Sequence, residues 1–378
     1  MKTNDRQPVT GKRTSWRPCL LLAFLILCCS LPGWGNKQVN TKKKEYNKSF
    51  DVSKSDLLEV DNRYGGITVT HGSKNEVAIR VVIEAKAQSE ERAQAMIDRV
   101  SIRMEKTGNT VSAVTSLTSQ NNSSGSNESF SIHYYIQMPN ELTCDLTQKY
   151  GNINMPENNK GKCGLHVKYG NINGGNFSGP LNIDIQYGNL DIADVDKATL
   201  DLAYCGKAAV RNASQLNVDS KYSNLHFGML RQMNLETKYG NLQIDGLDNG
   251  YLEMKYGEGK LGRLKESLVV DELSYSTLTI KELDANFEKV DVNARYGNLN
   301  AYIDTKASFR VSANNMKYGN CSVKGFNVRR LSQNENSGEF DSSKEQNKNS
   351  YLLDINNGKK GRINFEGNSY SNLKVMAK

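Results

Sequence analysis

Six carboxylates recur at one place in a repeating pattern: Asp184, Asp201, Asp219, Glu236, Glu253 and Glu272 each stand three residues before a tyrosine. Seven bases, Lys149, Lys168, Lys221, Lys238, Lys255, Arg295 and Lys317, stand one residue before a tyrosine. Acids at regular spacing could hold calcium or perform acid–base work on a glycosidic bond. Calcium, however, takes about six to eight oxygens converging on one point. Glycoside hydrolysis needs a single pair of carboxyls at a set separation. An even file of acids beside an even file of bases suits neither, because each file is spread out rather than gathered. The pattern predicts mutual relief of like charges across strands, with a weak polyanion or glycan contact along the lysines as the functional remainder. His71, His133, His166 and His226 show neither metal-ligand spacing nor a partner motif. The sequence therefore nominates no catalytic, cofactor-binding or metal-binding residue.

The tyrosines that index these files are themselves the strongest signal. Tyr-Gly-Asn followed by Leu or Ile begins at Tyr150, Tyr169, Tyr187, Tyr239 and Tyr296. Variants begin at Tyr204, Tyr222, Tyr256, Tyr275 and Tyr318, with outlying relatives at Tyr64 and Tyr370. From Tyr150 the steps are 19, 18, 17, 18, 17, 17, 19, 21 and 22 residues. Within one unit, Leu181, Ile183, Ile185 and Tyr187 alternate with polar residues, the period of a half-buried strand. After Gly188-Asn189 the alternation restarts out of phase at Leu190 and Ile192. Such a slip marks a corner, where Gly and Asn tolerate positive φ.

Two short strands and a corner per unit predict an all-β fold, a single-chain β-solenoid (parallel β-helix or β-roll) of about ten coils. A lone unit cannot bury its apolar face, whereas each added unit covers the last. The tyrosines fall on the apolar phase and should stack as a structural column beside the corner, building the interior together with the aliphatic residues, the asparagines satisfying corner backbone groups. A transmembrane barrel would need strands of about 9–11 residues, and the slip cuts the alternation shorter than that.

Around the repeat lie elements that must close its ends. Residues 1–35 combine basic residues, the apolar run 19–29 and a Leu31-Pro32-Gly33 break, the build of a cleaved export signal with its cut between Gly35 and Asn36. Eleven apolar residues fall short of the ~20 of a spanning helix. Removing this segment takes five bases and one acid from 49 and 41, leaving 44 and 40, a charge of +4 instead of +8. So small an excess does not suggest a nucleic-acid partner. Residues 36–50 read as a basic linker, 51–143 as a β-rich N-terminal cap with a helix at 89–100 capped by Ser89, 144–330 as the repeat, 331–350 as a polar insertion and 351–378 as C-terminal capping strands. Of seven cysteines, four follow the signal. Cys144 and Cys163 both stand six residues before their tyrosine, so their Cα atoms should lie about 5 Å apart on adjacent coils, within reach of a disulfide or as a buried thiol pair.

Leu58-Glu-Val-Asp-Asn-Arg-Tyr-Gly-Gly-Ile67, the helix at 89–100, Tyr135-Ile-Gln-Met-Pro139 and the repeated Tyr-Gly-Asn-Leu together resemble the putative adhesin family of bacterial exported and envelope proteins. The resemblance runs from about Phe50 to the C-terminus. It implies a β-solenoid and, by association, adhesion, with no catalytic residues to carry over. Three functions compete. The first is a non-enzymatic envelope scaffold that meets a cell-surface glycan or an envelope protein. The second is a polysaccharide-active β-helix enzyme, whose carboxylates would gather at the irregular units Tyr204-Cys-Gly-Lys207 and Tyr256-Gly-Glu-Gly-Lys260. The third is a regulatory partner in envelope stress.

Overall fold

The computed structural model describes residues 39–73, 75–118, 128–332, 335–344 and 349–378. The expected export signal and its cut between Gly35 and Asn36 lie outside these residues. Val39–Lys378 forms one compact unit. Among the described residues it is all-β apart from the helix Glu90–Asp98 and a 3-10 turn at Ser342–Lys344.

Strands Leu190–Ala203, Ala208–Lys221, Leu225–Lys238 and Leu242–Lys255 pair in parallel, each with the next. The register joins equivalent positions: Ile192 to Val210 to Phe227 to Ile244, and Leu200 to Val218 to Leu235 to Leu252. Residues one repeat apart are therefore neighbours, and each repeat position becomes a column with a spacing of about 4.8 Å. Burial falls on Leu190, Ile192, Val195, Ala198, Leu200 and Leu202. The interval lengthens from two to three on both sides of Val195, so a second bend lies there, opposite the tyrosine corner. Each repeat is thus two straight arms and two bends, and the inward residues of all repeats join one hydrophobic cluster. Each fully buried Leu, Ile or Phe contributes about 1.5–3 kcal/mol, which is why a repeat is stable only between neighbours.

The ends are built from long-range pairing. Strand Leu57–His71 lies parallel to Thr143–Asn154, Leu58 beside Cys144. Its other edge is covered by Thr110–Leu117 and Ser129–Met138. Glu76–Ala87 runs antiparallel to Ser129–Met138. The segment expected as a basic linker is instead largely strand: Asn40–Asp51 pairs antiparallel along the whole of Glu76–Ala87. Alternating Tyr46 and Phe50, both packed against the core, supply the apolar side that its lysines obscure in the sequence. The helix begins one residue after Ser89, which accepts the Arg92 N–H at 3.3 Å, and buries Ala93 and Ile97.

At the other end the chain order departs from the order of the rungs. Gly361–Asn368 lies between Lys289–Arg295 and Phe309–Asn314, parallel to both. Asn372–Ala377 lies likewise between Asn298–Ile303 and Cys321–Lys324. Residues 361–377, expected as terminal capping strands, are an internal rung whose Ile363, Phe365, Leu373 and Val375 are fully buried. Antiparallel pieces occupy the outer position instead. Tyr351–Ile355 pairs with Phe309–Asn314, and Phe340–Asp341, from the polar insertion, pairs with Cys321–Lys324.

Candidate functional site

The tyrosines stack, but outside the core. On an uninterrupted strand Tyr187 would follow Ile183 and Ile185 inward. Its φ of 59° places it in the left-handed region, as does φ between 48° and 61° at the nine other corner tyrosines from Tyr64 to Tyr296 and at Tyr370. That backbone turn breaks the alternation and swings the side chain out, leaving the column 37–60% exposed. Gly and Asn were expected to take the positive φ; the tyrosine takes it, and the glycine answers a different need. A Cβ on Gly188 would sit 1.6 Å from the Gly170 carbonyl oxygen of the neighbouring rung. From Tyr64 through Tyr150 to Tyr296, successive rings lie 4.8–5.1 Å apart and within 14° of parallel. Tyr370 then intervenes, 5.9 Å from Tyr296 and 5.1 Å from Tyr318. Ring faces cover one another along these twelve residues, so edges and hydroxyls are what the column offers a partner.

Beside it runs a column of asparagines. The side-chain oxygens of Asn152, Asn171 and Asn189 accept the backbone N–H of Asn171, Asn189 and Lys207, each at 2.9 Å. They satisfy corner donors rung by rung, as the sequence led us to expect. On the opposite arm the acids form the expected file, Asp184 beside Asp201, Asp219, Glu236, Glu253 and Glu272. Partial burial, and then the charges of Asp184 and Asp219, hold the Asp201 carboxyl above the usual range. At Glu272 burial pushes the same way, but hydrogen bonds from Lys255 and Ser274 prevail and hold its carboxyl low. Among the described residues no group of three or more His, Cys, Asp or Glu is placed to hold a metal ion.

Cys144 and Cys163 are register partners on adjacent strands. Both are buried and both are free thiols, as are Cys205 and Cys321. A hydrogen bond with Cys163, together with burial, pushes the Cys144 thiol well up. The buried thiol pair is therefore the arrangement present, the sulfurs packed within the aliphatic columns.

The two irregular repeats bound an indentation. A groove of about 360 Å³ is lined by Lys207, Asn224, Leu225, His226, Asn241, Leu242, Gln243, Glu258 and Lys260. Sequence reasoning singled out these repeats as the place where carboxylates would gather. The groove instead holds one carboxylate, Glu258, 3.2 Å from the Lys260 ammonium, with a second lysine and a histidine along it. His226, dismissed in the sequence for want of ligand spacing, enters the site through its register with Gln243.

No family model matches the chain, and no curated protein matches it. Solved structures similar to it include a "putative cell adhesion protein" from Clostridium sporogenes, at 9% identity over 89% of this chain and 100% of that one, TM-score 0.19. A "putative adhesin" from Bacteroides fragilis matches at 10% identity over 88% and 97%, TM-score 0.28. A "putative lipid binding protein" from Parabacteroides distasonis matches at 12% over 68% and 93%, TM-score 0.29. TM-scores of this size leave function to be read from the chain's own surface.

Proposed function

We propose that this chain is a non-enzymatic, exported cell-envelope protein, a β-solenoid with one rung per stacked tyrosine, which presents its outward columns for adhesion to glycan or protein. The observation that carries the reading is the exposed twelve-tyrosine column, flanked by amide and charged columns. A surface that repeats one side chain every rung, about 4.8 Å apart, suits a partner that is itself extended and engages many weak contacts at once. The acid file supports the same reading, since its members are evenly spread along the register rather than gathered at one point, and Glu272 is paired with Lys255. Incubation of the purified chain with a panel of envelope and host-type glycans, and with envelope extract, tests this. Retention of a glycan or protein with no change in glycan length is the expected result; shortened glycan products would replace the scaffold with an enzyme.

A further inference from the structure

The groove between the two irregular repeats breaks the surface pattern, and the substitutions that break it are of one kind. In the column that elsewhere carries Asn, position 207 is Lys, followed across the rungs by Asn224, Asn241 and Glu258. The adjacent column reads Ala209, His226, Gln243 and Lys260, each in register with the next. Ala209, the register neighbour of His226, is small and buried, and the concavity opens beyond it along His226, Gln243 and Lys260. Lys207 and Lys260 mark its two ends, three rungs or about 14 Å apart. Glu258 is taken up by Lys260 at 3.2 Å, while Lys207, His226 and Gln243 are exposed and line the groove.

We infer that this groove binds a segment of an acidic polysaccharide laid along the rungs. The inference rests on the adhesive reading above and names the class of ligand for one part of that surface. Two chemistries decide it. Amide side chains of Asn224, Asn241 and Gln243 combine donor and acceptor, which matches neighbouring sugar hydroxyls. Lys207, which has no carboxylate partner among the described residues, matches an anionic substituent through a charge-assisted hydrogen bond. An acidic peptide is disfavoured by the backbone. The strands under the groove are paired on both sides, from Leu190–Ala203 through Glu258–Ser274, so no free edge remains for strand addition.

Binding of a fluorescent oligogalacturonide and of a neutral cello-oligosaccharide to the full chain, at two salt concentrations, tests the inference. The acidic sugar should bind and weaken with salt, and the neutral one should bind at least tenfold more weakly. Lys207→Glu should weaken the acidic sugar about tenfold, the loss of one hydrogen bond to a charged group. His226→Ala should weaken it less, and exposed Lys160→Glu, remote from the groove, should leave it within twofold. Circular dichroism on each variant separates lost binding from lost fold. Equal binding of both sugars overturns the inference, as does equal weakening by Lys207→Glu and Lys160→Glu. Failure of both sugars to bind also overturns it, and leaves the adhesive reading intact if another glycan or protein is retained by the same preparation.

Discussion

A tyrosine held at φ near +57° is under two opposing influences. The left-handed conformation costs an L-residue about 1–2 kcal/mol, while each stacked ring pair contributes about 0.5–1.5 kcal/mol beyond its buried area. At Tyr222, with φ 54° and partners at 4.9 and 4.8 Å, the rings explain why glycine is not used. Tyr222→Ala, which loses both stacks and keeps the strain, should therefore be less stable than Tyr222→Gly by about 1 kcal/mol, read as a difference in urea midpoint. An equal or reversed order would show that the left-handed backbone angle carries no strain at this corner. Asp201 permits a test with a definite sign. Its carboxyl is held above the usual range by burial and by Asp184 and Asp219, so the folded state binds its proton more tightly than the unfolded state does. That loss of stability grows as pH rises through the carboxylate range and is absent below it. Asp201→Asn should raise the denaturation midpoint at pH 7 and make no difference near pH 3; a gain that persists at pH 3 would refute the cause. Cys144 and Cys163 were legible as neighbours on adjacent repeats, but not their state. With Cys144 and Cys163 buried as thiols, a thiol reagent should label neither in the native chain and both after denaturation. No labelling in denaturant would mean a disulfide.

The repeat as an element was legible because its periodicity is local. Leu181, Ile183 and Ile185 announce an arm, and Gly188-Asn189 announces its end. The geometry inside the corner was not legible, because Tyr187 continues the apolar phase in the sequence and leaves it only through a single left-handed backbone angle. The glycine that follows is required by the neighbouring rung and not by its own φ. Gly188→Ala should destabilise the chain by about 1–3 kcal/mol, the usual cost of forcing atoms into filled space, since its Cβ would lie 1.6 Å from the Gly170 oxygen. A melting temperature equal to that of the parent would show that the rungs can separate at the corner. Strand Asn40–Asp51 was missed for a related reason: its run of lysines hides the apolar alternation of an edge strand, where charge also discourages pairing with other chains.

In the whole molecule, the last residues of the chain fill a slot between rungs formed earlier in the sequence. Deleting residues 361–378 would uncover the facing edges of Lys289–Arg295 and Phe309–Asn314 and remove Phe365, whose truncation alone is of the kind that costs about 3–5 kcal/mol. The shortened chain should lose hydrogen-exchange protection over Phe309–Asn314, Cys321–Lys324 and Tyr351–Ile355, retain it over 181–255, and self-associate through the open edges. A synthetic peptide of residues 361–378 should restore protection and reverse the added self-association. Unchanged protection in the deletion would mean that the inserted rung does not hold the outer strands.

What the sequence determined by itself was the repeat unit: its length, its inward residues, its tyrosine index and its files of charge, all of which follow from side-chain alternation along a few consecutive residues. Only the tertiary structure decided that the rings face outward, that Tyr370 stacks between Tyr296 and Tyr318, and that Lys207, His226 and Gln243 share a groove. Those outcomes depend on one backbone angle and on which distant strands pair. Neither leaves a period in the chain, because hydrogen bonds between rungs join peptide groups that every residue carries alike.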